Sequence, residues 1–193
     1  MAAKSWRDIP ELYEDGQVAT VLELAQSVPD ELRKNAGVLG FVAYALRDVA
    51  RYAEAEVILH ELREASSSQG AAIFEGEIAA VHERTGRFEE AEKWYRRATE
   101  TCPADASRFV LLGAFLARMG RTEEAEAVHR VGTQCEEGPV DEAWLNLGLV
   151  QRSLGRYDRA AFSFRQALTR AEGYTEAETA LQDVVEAARL SRT

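Results

Sequence analysis

Three histidines and two cysteines are the residues of this chain with the most readily recognised chemistry. His60, His82 and His129 are dispersed, and none belongs to a His-Glu-x-x-His pattern, which would set two imidazoles on one helical face around a metal. They read as packing or surface histidines. Cys102 and Cys135 form no Cys-x-x-Cys pair and are too few for a disulfide framework or a thiolate metal site. The pairs Gly86-Arg87, Gly120-Arg121 and Gly155-Arg156 could hold an anion. Yet there is no Gly-x-Gly-x-x-Gly run, Walker lysine or Gly-x-Ser-x-Gly elbow, and an arginine just past a helix end can serve the last carbonyls instead. Trp94-Tyr95 could stack a ligand, but at helical spacing with Ala91 and Ala98 the pair reads as core. The expectation is a chain with no catalytic residue, no metal ligand and no cofactor.

Composition narrows the class of partner. The 193 residues carry 23 Lys and Arg against 33 Asp and Glu, a formal net charge of −10. Such an acid excess opposes phosphate backbones and anionic membrane surfaces, so neither nucleic acid nor membrane is the expected partner. A 46% hydrophobic fraction is ordinary for a chain that buries a core. No stretch approaches the roughly 18 uncharged apolar residues of a membrane span, and the start of the chain shows no apolar signal region. The expected compartment is the cytoplasm. Four prolines in this length permit long helices.

A register repeats through the chain. Ala50-Arg51-Tyr52-Ala53-Glu54-Ala55, Gly86-Arg87-Phe88-Glu89-Glu90-Ala91, Gly120-Arg121-Thr122-Glu123-Glu124-Ala125 and Gly155-Arg156-Tyr157-Asp158-Arg159-Ala160 align, with a weaker copy at Gly16. The anchors at 16, 50, 86, 120 and 155 are spaced by 34, 36, 34 and 35 residues. Apolar residues flank each anchor at helical period. Trp144, Leu147, Gly148 and Gln151 precede Gly155, and Tyr157, Ala160, Phe164 and Ala167 follow it. Each unit therefore reads as helix, tight turn, helix. Small residues recur where two helices must cross closely, at Ala43, Ala79, Gly113 and Gly148 and at Ala55, Ala91, Ala125 and Ala160. The acid runs Glu89-Glu90-Glu92 and Glu123-Glu124-Glu126 read as a solvated outer face. Ser66 to Gly70 reads as the longest linker and accounts for the 36-residue spacing.

At these positions the chain resembles the tetratricopeptide-repeat family. Unit 141–174 carries Trp144, Leu147, Gly148, Gly155, Tyr157, Ala160, Phe164 and Ala167, and unit 72–105 carries Ala79, Gly86, Phe88, Ala91, Tyr95, Ala98 and Pro103. Unit 106–140 departs by placing His129 and Gly132 where an aromatic and Ala belong. Unit 36–71 has Leu59 and Leu62 at those places, and unit 2–35 is degenerate, with Pro10 inside its first helix. A cap helix over 175–190 is expected, with Leu181, Val184, Val185 and Ala188 as its apolar stripe. The resemblance implies an all-α, right-handed superhelical array of antiparallel helix pairs, about five repeats plus the cap, in one domain over 1–193. Cys102 and Cys135 would then sit about 10 Å apart, too far for a disulfide.

The resemblance also implies that first helices line a concave groove. Its residues would be Phe41, Tyr44, Ile73, Glu77, Val110, Leu111, Ala114, Leu145, Asn146 and Leu149, with Arg84 and Arg152 at the rim. Much of this set is apolar where a solvent-only surface would be charged, which points to a protein or peptide partner. Family members that bind acidic tails use a Lys/Asn carboxylate clamp, whose places here hold Gly, Glu, Val, Leu and Asn146. The expected function is a non-catalytic scaffold or adaptor. The alternatives are a dedicated chaperone similar to those of type III secretion, or a self-assembling homo-oligomer.

Overall fold

A computed structural model describes residues 5–26 and 35–191. The ends of the expected first unit, residues 2–4 and 27–34, lie outside the described residues. Among the described residues, eleven α-helices follow a short 3-10 turn at Trp6–Asp8: α1 (Ile9–Glu14), α2 (Val18–Gln26), α3 (Ala36–Asp48), α4 (Tyr52–Ala65), α5 (Ser68–Arg84), α6 (Phe88–Thr101), α7 (Ala106–Arg118), α8 (Thr122–Gly132), α9 (Val140–Ser153), α10 (Tyr157–Arg170) and α11 (Thr175–Leu190). The described residues contain no strand, only one isolated bridge between Asp105 and Glu137.

The repeating anchor acts through one hydrogen-bond device. The Gly86 N–H donates to the Glu83 carbonyl at 3.1 Å and the Arg87 N–H to the His82 carbonyl at 2.9 Å. This two-bond closure satisfies the last carbonyls of α5 and turns the chain into α6. The same pair of bonds recurs at Gly16/Gln17, Ala50/Arg51, Gly120/Arg121 and Gly155/Arg156. The middle residue must take positive φ, which is 76° at Gly86 and 61° at Ala50. Ala50 thus holds, with a Cβ, a conformation that glycine supplies at the other anchors, at a cost of roughly 1–2 kcal/mol.

Helix starts are capped by side chains the sequence supplies. Asn35 Oδ1 accepts from the Gly37 and Val38 N–H groups, and Asp105 Oδ1 from that of Ser107. Pro10 sits in the first turn of α1, where its missing N–H costs no internal bond. That helix has only six residues. The expected linker at Ser66–Gly70 is mostly helix: only Ser66 and Ser67 stand outside, and α5 is lengthened to 17 residues. The Ala71 N–H reaches the Ser67 carbonyl at 2.7 Å, so the extra residues wind into α5.

The chain divides into two compact units, Met1–Trp94 and Tyr95–Thr193. In the first, α1 packs on α2 and α3, α2 on α3, and α4 on both α3 and α5. Ile9, Leu12, Val21, Val42, Leu46, Leu59 and Ile78 form its core. In the second, α7 packs on α8 and α9, α8 on α9, and α10 on α9 and α11. Phe164, Ala160 and Ala167 of α10 meet Ala177, Ala180 and Val184 of α11. This corrects the expected stripe of α11. Val184 is buried, but the adjacent Val185 is turned about 100° away along the helix and is 48% exposed.

Candidate functional site

Three aromatic rings converge on the first-helix side of the first unit. Tyr13 at the end of α1 lies 5.6 Å from Phe41 and 6.1 Å from Tyr44, and Phe41 meets Tyr44 edge-on at 6.1 Å. All three are half-buried, packed on the core yet open to an approaching group. The cluster is held at a polar rim. The Tyr13 hydroxyl donates to Asp48 Oδ2 at 2.8 Å, and the Arg47 guanidinium lies 5.4 Å over the Tyr44 ring. Arg47 also donates to Glu77 on α5 and to Asp48. Burial opposes the charge of Arg47, but Glu77 and Asp48 more than offset it and raise its pKa. Burial, followed by the bond to Asp48, raises that of the Tyr13 hydroxyl, so it remains a neutral donor at neutral pH.

Sequence reasoning placed Phe41, Tyr44 and Glu77 here but missed Tyr13, Arg47 and Asp48. A positional signal existed: Tyr13 and Arg47 each stand three residues before their anchors, as the rim residue Arg152 does before Gly155. Ile73 lies on α5 and is exposed.

In the second unit the expected residues separate by depth. Val110 and Leu145 are buried in the core beneath the face. Leu111 is exposed, and Ala114, Asn146, Leu149 and Arg152 are half-buried. Ala114, Asn146 and Leu149 line a cavity of about 410 Å³ between α7 and α9, backed by His129. The Asn146 amide donates to the Glu142 carbonyl of its own helix at 3.1 Å. Arg152 lies 3.7 Å from Asp183 of α11.

The histidines serve packing. His129 occupies the place of the expected aromatic, wholly buried, with burial pushing its pKa down to about 4. Gly113 faces it across the α7–α8 crossing. A Cβ built on Gly113 would fall 2.5 Å from the imidazole, as one on Gly148 would from the Phe164 ring. His82 is buried beside Glu56 at 3.4 Å, and burial with the nearby Arg87 lowers its pKa. His60 stacks edge-on with Trp94 at 5.3 Å. No group of three or more His, Cys, Asp or Glu among the described residues could hold a metal ion. Cys102 and Cys135 are free thiols.

The arginines after each anchor answer to carboxylates rather than to helix-end carbonyls. Arg51 pairs with Glu54 and Arg121 with Glu124, each three residues on. Arg87 reaches back to Glu56 with two bonds, and Arg156 reaches back to Glu126. Glu126 is therefore buried, which corrects the solvated outer face expected of its run. Gln151 donates to it at 3.2 Å and in turn accepts from Ser163 at 2.8 Å, so α8, α9 and α10 share one polar network. Burial opposes ionisation of Glu126, but these bonds and Arg156 outweigh it and lower its pKa.

Helix pairs closed by one recurrent turn, with a small residue at each crossing, define a helical-repeat protein. Residues 141–174 and residues 77–114 each match a tetratricopeptide-repeat family model. Both segments are thus tetratricopeptide repeats. Solved structures share its fold. The C-terminal part of a repeat protein from Cytophaga hutchinsonii matches at TM-score 0.72 and 13% identity, covering 97% of this chain and 72% of that one. TTC0263 of Thermus thermophilus matches at 0.66 and 20%, covering 93% and 96%. The first such domain of Spaghetti (RPAP3), bound to the HSP90 peptide SRMEEVD, matches at 0.56 and 16%, covering 64% and 96%. No curated protein matches the chain significantly in sequence. No helix among the described residues is long and apolar enough to cross a membrane.

Proposed function

We propose that the chain is a non-catalytic cytoplasmic scaffold or adaptor that holds a peptide or helix of a partner protein on its first-helix face. The half-exposed cluster of Tyr13, Phe41 and Tyr44 carries this reading. Rings fixed by packing offer large contact area with little conformational entropy left to lose, which is what an interface anchor requires. The two free thiols are in keeping with a reducing compartment. An acidic-tail clamp is not part of the proposal. The RPAP3 domain binds a peptide ending in EEVD, but here the amide of Asn146 is engaged by its own helix and Glu77 adds negative charge. The occupant of this face is instead a neutral, largely apolar segment.

Affinity capture from the native host tests the reading, comparing wild type with a Phe41→Ala/Tyr44→Ala variant. Loss of one specific protein from the variant, with its helical content and melting curve retained, supports the proposal. An identical set of captured proteins overturns it.

A further inference from the structure

An aromatic patch on the second-helix side of the second unit is not accounted for by the first-helix face. Phe162 of α10 is 54% exposed, and its ring meets Trp144 of α9 edge-on at 5.9 Å. With Leu147, Gln151 and Ser163 they line a cavity of about 380 Å³ flanked by Arg159, Asp158 and Arg130, the last paired with Glu126. The Trp144 indole N–H is buried without an acceptor, and the Arg170 guanidinium lies 5.5 Å over the same ring.

The charge of this patch is opposite to that of the molecule. In a chain of net charge −10, α10 carries three arginines against one aspartate, whereas acids outnumber bases in α4, α6 and α8. Arg159 and Arg165 stand one turn on either side of Phe162, on its face of the helix. Among the described residues, Arg159, Arg165 and Arg170 have no carboxylate partner. Arg152 and Arg156, which bracket the turn into α10, each have one. An exposed phenyl ring between unpaired guanidinium groups, beside an apolar cavity, complements a segment that is acidic and carries one large apolar side chain.

We propose that the α9–α10 face is a second docking surface, which takes an acidic peptide segment of a partner protein. Its aliphatic or aromatic side chain enters the cavity beside Phe162 and Trp144. Its carboxylates meet Arg159, Arg165 and Arg170, and an acceptor on the segment completes the indole N–H of Trp144.

The test uses the full chain and an array of acidic peptides, each with a different central apolar residue, alongside versions with the acids changed to Ser. Phe162 and both flanking arginines are exposed, so Phe162→Ala and Arg159→Glu/Arg165→Glu should fold, as an unchanged melting curve will verify. The expected result is retention of acidic peptides with a large apolar centre. Affinity should fall about tenfold or more in either variant and weaken with salt, while Phe41→Ala leaves it unchanged. Three results overturn the proposal. One is that no acidic peptide is retained, and another is that both variants retain the peptides as well as the wild type does. The third is concentration-dependent self-association that Phe162→Ala abolishes, which would make a second copy the occupant.

Discussion

Gly113 lies against the imidazole of His129 so closely that a Cβ there would fall 2.5 Å from Cε1 and Nε2 and 2.7 Å from Nδ1, much as one on Gly148 would fall 2.5 Å from Cε1 of Phe164. Within a helix, alanine ordinarily stabilises by up to about 1 kcal/mol relative to glycine. At this crossing the sign should reverse, because the His129 ring occupies the space the new Cβ would need. Gly113→Ala is expected to cost roughly 1–3 kcal/mol. A urea titration reads it directly, and a raised midpoint would show that the crossing has slack.

Protonation of His129 should set the acid side of the stability curve. Its folded pKa is held at about 4, below the ordinary value of 6.5. A depressed folded pKa contributes stability in full above the unfolded value and loses it as pH falls toward the folded one. The loss should approach about 3 kcal/mol over that window, with about 2 kcal/mol gone by pH 5, largely before carboxylates titrate. His82 is shifted in the same direction and adds to the slope. Denaturation of His129→Gln at a series of pH values should give a shallower dependence than wild type. An unchanged slope would place the titration elsewhere.

Ala50 marks a site where stability can be gained. It holds φ 61° in a turn whose equivalents are glycine. Ala50→Gly is expected to stabilise by about 1 kcal/mol, the relief of Cβ crowding exceeding the added freedom of the unfolded chain. The measurement is a shift in melting temperature, and a fall on substitution would be inconsistent with strain at this position.

Partner affinity should depend on the aromatic cluster. Phe41→Ala or Tyr44→Ala is expected to weaken binding by ~2 kcal/mol, about 30-fold. Tyr13→Phe keeps the ring but removes the bond to Asp48, so its smaller effect would separate ring contact from rim geometry. Titration calorimetry with the captured partner decides this, and equal affinities would remove the cluster from the interface.

Much of the fold was legible because it is written in spacing. The anchors at 50, 86, 120 and 155 showed where each turn must fall, and small residues at 113 and 148 marked the crossings. Depth was harder to read. Val110 and Leu145 share a helical register with accessible neighbours, and a rotation of a few tens of degrees decides whether such a residue faces out or in. Nor could periodicity show that Glu126 is buried, because its place depends on Gln151 and Arg156, which follow 25 and 30 residues later. The convergence of Tyr13 on Phe41 and Tyr44 was hidden for a similar reason, since it joins a degenerate unit to a regular one.

Arg87 and Arg156, which follow two of the anchors, each clasp a glutamate of the preceding repeat. The clasp therefore joins the second repeat to the third and the fourth to the fifth. In a linear array, stability is the sum of what each repeat contributes alone and what each junction adds. A clasped junction couples the opening of the two repeats it joins. Amide exchange should then proceed at a common rate within each clasped pair, and Glu56→Gln should let the second and third repeats exchange independently.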